Sequence, residues 1–176
     1  MESKSELDVD LAAERLGRGS TLVIVLYDHL PEGLLRWKPT PDRWSLLEIV
    51  NHLADEEVFD FRARIESTLR NPAEVWPPIA PQDWVAEKKY NERDPAESLD
   101  RFLEERERSL EWLRTQRSAA WSNTYVHPKV GPLSAHMLLA NWIAHDFLHA
   151  RQMLRLHHEQ VAKLAAPETL DYAGPW

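Results

Sequence analysis

The last long apolar stretch of the chain is Asn141-Trp142-Ile143-Ala144-His145-Asp146-Phe147-Leu148-His149-Ala150-Arg151-Gln152-Met153, and it carries two histidines four residues apart. Side chains at this spacing lie on the same face of an α-helix, one turn above the other. Two imidazoles placed in this way can bind one metal ion together. The stretch therefore predicts a helix that contributes His145 and His149 to a site, whose third ligand comes from elsewhere in the chain.

The composition is typical of an ordinary helical domain. The chain has 176 residues, of which 43% are hydrophobic and 28% are charged, which is enough for one domain with a sizeable core. Five glycines and long stretches rich in Leu, Glu, Arg and Ala favour an all-helical fold. The formal net charge of -8 argues against sequence-independent binding of nucleic acid and against an anionic membrane surface.

The chain contains no cysteine, so any metal site must use His, Asp or Glu ligands. The N-terminus lacks the basic region and apolar core of a secretion signal. No uncharged apolar run approaches the roughly 18 residues that are needed to span a bilayer. We therefore expect a cytoplasmic protein without a membrane partner.

Hydrophobic residues at helical spacing predict four amphipathic helices. Their expected ranges are 6–36, Ser45 to about Leu69, Asp94 onward, and Leu133 to about His157. Ser45 and Glu48 form a capping box at the start of the second helix, which is expected to bury Phe59. Residues 104–108, Glu-Glu-Arg-Glu-Arg, are expected to form a solvated face of the third helix.

Residues 71–95 form the longest connection, with five prolines and two tryptophans. A connection of this length predicts a crossover between the second and third helices. Residues 118–131 form a second connection. Together these features predict an all-α four-helix bundle in a single domain of residues 1–176, with its core at about 10–157 and a tail at 158–176.

Among the remaining histidines, His52 is the best candidate for the third ligand. It lies on the apolar stripe of the second helix, within Ile49-Val50-Asn51-His52-Leu53. Inside a bundle, this stripe can meet the apolar stripe of the last helix. Three histidine ligands leave a coordination position open, which is typical of catalytic rather than structural zinc sites. The alternative interpretation is a set of core histidines that are satisfied by hydrogen bonds.

Three carboxylates lie close to these histidines in sequence. Glu56 follows His52 by four residues, so it is either a hydrogen-bond acceptor or general base near the metal, or a partly exposed helix carboxylate. Asp55 is expected to orient a neighbour or to lie at the surface. Asp146 follows His145 at about 100° around the helix and is expected to point away from the histidine pair.

Three further side chains have both a functional and a structural interpretation. Gln152 follows His149 by three residues, and it either hydrogen-bonds across the bundle or donates to a ligand, or it fills a gap in the core. Trp44 and Trp142 are either walls of a pocket or members of the core, as most buried tryptophans are.

Two sequence motifs resemble those of the DinB/YfiT-like superfamily of metal-binding four-helix bundles. Residues 44–56, Trp-Ser-Leu-Leu-Glu-Ile-Val-Asn-His-Leu-Ala-Asp-Glu, resemble the first motif. His145-x3-His149-x2-Gln152 resembles the second, with Leu148 where many members have an additional histidine. His127-Pro128, ahead of Gly131-Pro132-Leu133, is similar to the family's lead-in to the last helix. The resemblance covers roughly residues 10–157.

The resemblance implies that His52, His145 and His149 bind one divalent metal, usually zinc or nickel. It also implies helices in up-down-down-up order, frequent homodimers and a small-molecule substrate. Characterised relatives include S-transferases that use the low-molecular-weight thiols bacillithiol, mycothiol or glutathione, and a mycothiol-dependent isomerase. The resemblance therefore favours a thiol-dependent S-transferase. The alternatives are a metal-dependent hydrolase and a non-catalytic metal-binding or stress-response module.

Two other kinds of metal site fit the sequence poorly. The stretch from His145 to His149 has Asp where the zincin motif His-Glu-x-x-His has Glu, and Arg155 stands where a third metzincin histidine would fall. A di-iron bundle requires Glu-x-x-His motifs, and no Glu precedes a histidine of this chain by three residues.

Overall fold

The structure is a computed structural model that describes residues 7–176. Its α-helices are α1 (Val9–Tyr27), α2 (Glu32–Leu35), α3 (Leu46–Glu56), α4 (Arg62–Arg70), α5 (Pro81–Glu87), α6 (Pro95–Thr115) and α7 (Ala135–Ala165). A π-helical segment, Glu57–Phe61, joins α3 to α4, and short 3₁₀ turns lie at Tyr90–Glu92 and Asp171–Ala173. Strands β1 (Thr124–His127) and β2 (Gly131–Ser134) pair as an antiparallel hairpin, with Tyr125 opposite Leu133.

The long helices form the expected all-α bundle in up-down-down-up order. The four members are α1, the continuous α3–α4 segment, α6 and α7. Helix α1 packs against α6 and α7, and α3 packs against the same two helices from the other side. The crossover with α5 lies between the second and third members, so the fold prediction is confirmed. Within residues 7–176, no helix combines the length and the hydropathy of a membrane span.

Side-chain caps fix where the helices begin. Ser45 Oγ accepts a hydrogen bond from the Glu48 N–H at 3.1 Å, and Glu48 Oε2 accepts one from the Ser45 N–H at 2.8 Å. This is the predicted capping box, and it satisfies two donors that the first turn of a helix leaves unpaired. Asp94 caps α6 through one bond, in which its Oδ1 accepts from the Glu97 N–H at 3.0 Å.

Two apolar clusters form the core, one toward each end of the bundle. The first surrounds Leu47, Leu53 and Phe102, and the second surrounds Leu16 and Trp142. Between them lies a polar layer that crosses all four members of the bundle: Gly19, His52, Glu56, Glu57, Arg106, His145, Asp146 and His149. The bundle is therefore stabilised at its two ends and carries its buried charges in the middle.

The first helix differs from the expected range of 6–36. Helix α1 ends at Tyr27, and Glu32–Leu35 form a separate short helix, while residue 6 lies outside the described part of the chain. Proline disfavours helical conformation in the residue before it and cannot donate a backbone hydrogen bond. Pro31 therefore prevents one continuous helix.

The last helix also differs from its expected range. Helix α7 continues to Ala165, and Gln160, which lies beyond the expected end at about His157, is still buried. It ends immediately before the Ala166–Pro167 bond, as the effect of proline on the preceding residue predicts. The β1–β2 hairpin lies where only an irregular connection was expected.

The π-helical segment explains why Phe59 is not buried, although the sequence predicts it to be. Phe59 was expected to be buried, but it is 46% exposed, and Phe61 faces the core instead. A π turn accommodates one extra residue, so every side chain after it is rotated relative to a regular helix. Phe61 consequently stacks on Trp142, with ring centroids 5.7 Å apart and ring planes at 4°.

The expectation that residues 104–108 form only a solvated face is wrong at Arg106, which is 1% exposed. Its guanidinium donates to Glu57 Oε1 at 2.7 Å and to the two oxygens of Asp146 at 2.6 and 2.8 Å. It also donates to the Leu16 carbonyl at 2.8 Å. A buried charge is tolerated only when it is paired and hydrogen-bonded, and these acceptors supply both.

Gly19 allows α1 to approach this ion cluster. A Cβ atom at Gly19 would overlap the Asp146 carboxylate, whose Cγ would lie only 3.0 Å away. At Gly17, by contrast, a Cβ would meet only Leu110 Cδ1, at an ordinary 3.9 Å. A methyl side chain therefore fits at Gly17 but not at Gly19, although both residues lie within α1.

We expect the alanine variants at these glycines to change stability in opposite directions. Gly17→Ala should raise the free energy of unfolding by about 0.5–1 kcal/mol, because alanine has the higher helix propensity. Gly19→Ala should lower it by about 2–4 kcal/mol, because Asp146 must withdraw from Arg106. Urea unfolding followed by circular dichroism measures both values. Equal stability of the two variants would contradict the close packing at Gly19.

Candidate metal centre

The structure brings His52 of α3 together with His145 and His149 of α7. The Nε2 atom of His52 lies 3.4 Å from that of His145 and 3.1 Å from that of His149. The Nε2 atoms of His145 and His149 lie 3.1 Å apart. Three ring nitrogens, one from each predicted ligand, therefore face a common point, and we refer to these residues as the histidine triad.

The spacing of these nitrogens fits a transition-metal ion. Bonds of about 2.0–2.1 Å in tetrahedral geometry place two ligand nitrogens about 3.3–3.4 Å apart. The observed separations of 3.1 to 3.4 Å lie close to that value. The triad is the group of His, Asp and Glu side chains within residues 7–176 that is arranged to hold a metal ion.

Burial keeps the triad uncharged. It lowers the pKa of His52 to about 2, of His145 to about 3 and of His149 to about 4. Repulsion from His149 adds to the effect on the pKa values of His52 and His145. Neutral imidazole is the form that binds metal, so protons do not compete for these nitrogens near neutral pH.

Gln152 orients one of the ligands. The Nδ1 of His149 lies 2.9 Å from Gln152 Oε1, which is a hydrogen-bond acceptor. A proton on Nδ1 leaves the lone pair of Nε2 free to point at the triad centre. In this contact Gln152 accepts a hydrogen bond from a histidine of its own helix, which differs from the expected donation or bond across the bundle.

Aromatic rings fix the orientation of the imidazoles. Trp44 packs against His52, with ring centroids 4.8 Å apart, and lies parallel to His149 at 6.1 Å. Phe61 packs against His145 at 5.1 Å. The π turn places Phe61 there, and sequence spacing gave no signal of this contact because a regular helix directs that position elsewhere.

Glu56 lies beside the triad. Its Oε1 is 3.8 Å from His52 Nδ1, and both atoms are buried and lack a hydrogen-bond partner within residues 7–176. The pKa of Glu56 is raised to about 9, mainly by burial and then by the negative charge of Asp60, while Arg64 opposes the shift. A cation at the triad would lower this pKa, because positive charge nearby favours the carboxylate.

The triad opens into a cleft of about 1010 Å³. The cleft is lined by Asp42, Arg43, Trp44, His52, Glu56, Pro81, Gln82, His145, Leu148, His149, Arg151, Gln152, Arg155, His158, Glu159 and Trp176. The tail, which showed no usable sequence pattern, supplies Trp176, whose ring stacks on His158 at 4.4 Å. Trp44, Glu56 and Gln152 thus lie in one cleft with the three histidines.

Three of the residues considered in the sequence lie outside the cleft. Asp55 is buried against the crossover and accepts hydrogen bonds from Lys88, Tyr90 and Arg101, so it is not a surface group. Trp142 belongs to the core, and its Nε1 donates to Glu57 Oε1 at 2.8 Å. Asp146 points away from the triad, as expected, and pairs with Arg106.

We expect the His52→Ala variant to lose the bound metal. Two histidines of one helix would remain, and a site with a missing ligand binds transition metals far more weakly. Elemental analysis of protein purified without chelators should give about one transition-metal ion per wild-type chain and essentially none in the variant. His29→Asn is the control, because His29 is 94% exposed and lies outside the cleft. Full metal retention in His52→Ala would refute the assignment of the triad.

Gln152→Leu should weaken metal binding about 10–100-fold without abolishing it, because His149 loses the acceptor that fixes its tautomer. Competition with a chromogenic zinc chelator measures the affinity. Asn141→Leu is the matched control: Asn141 lies on the same helix, and its side-chain amide contacts only the Met137 carbonyl. An unchanged affinity in Gln152→Leu would show that the amide has no orienting role.

Comparisons with known proteins agree with this architecture. A family model described as the DinB superfamily matches residues 18–153. No curated protein matches the chain. Among solved structures, YfiT from Bacillus subtilis is similar, with a TM-score of 0.76 and 21% identity over 91% of each chain. YfiT is described as "a probable metal-dependent hydrolase with an unusual four-helix bundle topology". Since the family model spans most of the bundle, the chain belongs to the DinB superfamily.

Proposed function

We propose that this protein is a divalent-metal-dependent enzyme that acts on a small molecule bound in the cleft, and that its reaction is hydrolysis. The observation that carries the proposal is the position of Glu56. Its buried carboxylate lines the same cleft as the triad and lies 3.8 Å from His52. A carboxylate at this position is suited to general-base catalysis, which water requires as a nucleophile.

Each part of the site has a distinct task in this proposal. A divalent ion, when bound, supplies Lewis acidity that polarises a substrate carbonyl or phosphoryl oxygen and acidifies water. The triad would hold the ion through neutral imidazoles, for which zinc and nickel are both suitable. Glu56 takes the proton from the attacking water and returns it to the leaving group. Trp44 and Gln152 fix the imidazole orientations.

The second candidate is thiol-dependent S-transfer, and the size of the cleft favours it. A volume of about 1010 Å³ lies at the upper end of the range of small-molecule sites. It leaves room for a low-molecular-weight thiol beside a second substrate. In this reaction Glu56 accepts the thiol proton instead of a proton from water. The fold that the chain shares with YfiT supports hydrolysis, because that reaction class is ascribed to YfiT.

We expect Glu56→Gln to lower kcat for hydrolysis by about 10²- to 10⁴-fold while the protein retains its metal, because the amide cannot accept the proton. A panel of chromogenic esters, amides and phosphoesters, assayed with metal-loaded protein, provides the measurement. Glu87→Gln is the control, since Glu87 is an exposed carboxylate of α5 outside the cleft. A Glu56→Gln variant with wild-type kcat would remove Glu56 from the mechanism.

Addition of thiols separates the two candidate reactions. Cleavage without thiol supports hydrolysis. Turnover that depends saturably on bacillithiol, mycothiol or glutathione, with formation of a thioether, supports the transferase and contradicts hydrolysis. Metal-loaded protein that turns over no substrate with or without thiol supports a non-catalytic metal-binding module.

A further inference from the structure

We infer that the substrate carries an oxyanionic group, a carboxylate or a phosphate, which binds to the guanidinium groups of Arg43, Arg151 and Arg155 on one wall of the cleft. The inference rests on the proposed function, because it takes the cleft as the substrate site. It adds the chemical class of the substrate, which the triad alone does not specify.

The charge of this wall contrasts with the charge of the whole chain. The protein has a formal net charge of -8, yet three arginines line the cleft close to one another. Glu159 is the carboxylate that pairs with two of them. Arg43 Nη1 lies 2.8 Å from both Glu159 oxygens, and Arg155 Nε lies 3.0 Å from Oε1. One carboxylate shared by two guanidinium groups offsets one of their two positive charges. Asp42 also lines the cleft and interacts electrostatically with Arg43, but it forms no ion pair with Arg43.

Arg151 adds a positive charge that no carboxylate of the described residues pairs with. It lines the cleft, and it forms no ion pair with any residue of the described range 7–176. Arg151 and Arg155 are four residues apart on α7, so their side chains are neighbours on one helical face. Like charges at this spacing are destabilising unless an anion lies between them. An oxyanion that binds both guanidinium groups would relieve this repulsion, so the wall favours an anionic ligand in addition to Glu159.

Guanidinium groups suit this ligand chemistry. Each presents parallel N–H donors that match two oxygens of a carboxylate or a phosphate. The Glu159 bonds use Nη1 of Arg43 and Nε of Arg155, so other N–H groups of both side chains remain available. Glu159 also keeps Arg43, which precedes α3, next to Arg155 of α7. The receptor is thus assembled before the ligand arrives.

The arrangement also sets an approximate length for the substrate. Arg155 lies six residues beyond His149 along α7, which corresponds to about 9 Å along the helix axis. A substrate whose reacting group lies at the triad must therefore carry its anionic group about 9 Å away. The distance is shorter where the flexible arginine side chains reach toward the triad. Small bifunctional molecules meet this requirement, and positive potential in the cleft would attract them.

Binding of simple dicarboxylates tests the inference without any turnover. Isothermal titration calorimetry with metal-loaded protein and the series from succinate to suberate should show binding with an optimum at intermediate length. Replacing one carboxylate of the best member by its amide should weaken binding at least about tenfold, because charge-assisted hydrogen bonds are lost. Replacing it by a phosphonate distinguishes the two natural sources: whichever dianion binds more tightly identifies a carboxylate or a phosphate ligand.

The decisive variant is Arg151→Gln/Arg155→Gln, which should weaken dicarboxylate binding about 10- to 100-fold. Arg18→Gln/Arg114→Gln removes the same net charge from exposed positions outside the cleft and should bind like the wild type. Equal affinity of the two double variants, or no dicarboxylate binding by the wild type, would overturn the inference. Binding is measured at confirmed metal content and without turnover. A protein that binds dicarboxylate but catalyses no reaction would therefore refute the proposed reaction and leave the anion-binding inference intact.

Discussion

The buried ion cluster of Arg106 with Glu57 and Asp146 is the interaction on which the arrangement of the bundle depends. It joins α6 to the π-helical segment and to α7, and the bond to the Leu16 carbonyl adds α1. Glu57 directly follows Glu56, and Asp146 directly follows His145. When Arg106 fixes the two carboxylates, it therefore also fixes the register at which α3 and α7 present the metal centre.

The π turn makes this register possible. In a regular helix, Glu57 and Phe61 would lie one turn apart on one face. The side chains after them would then continue along the same faces as those of α3. Glu57, at the start of the π turn, pairs with Arg106, and the turn then changes the direction of the following side chains so that Phe61 packs against both Trp142 and His145. The cost is the exposure of Phe59. Irregular helical turns of this kind are frequent at functional sites, and here the turn immediately follows Glu56.

Local sequence rules predicted those features that depend on neighbouring residues. The capping box at Ser45, the end of the second helix near Leu69 and the histidines on two apolar stripes all follow from patterns along one segment. Arg106 could not be predicted in this way. It lies in a charged run typical of a solvated face, while its acceptors Glu57 and Asp146 lie 49 and 40 positions away. The π turn and the stacking of Trp176 on His158 depend likewise on contacts that no periodicity records.

The crossover forms one wall of the cleft, and Asp55 holds it in place. Pro81 and Gln82 of α5 line the cleft, although they lie far from α7 in sequence. Asp55 accepts bonds from Lys88 and Tyr90, which follow α5, and so ties the crossover to the turn of α3 that carries His52 and Glu56. Lys88 is further packed over the rings of Phe59 and Trp84. The exposed Phe59 is thus part of the anchor. Asp55, which the sequence predicts to orient a neighbour or to lie at the surface, thus holds the crossover that forms one wall of the cleft.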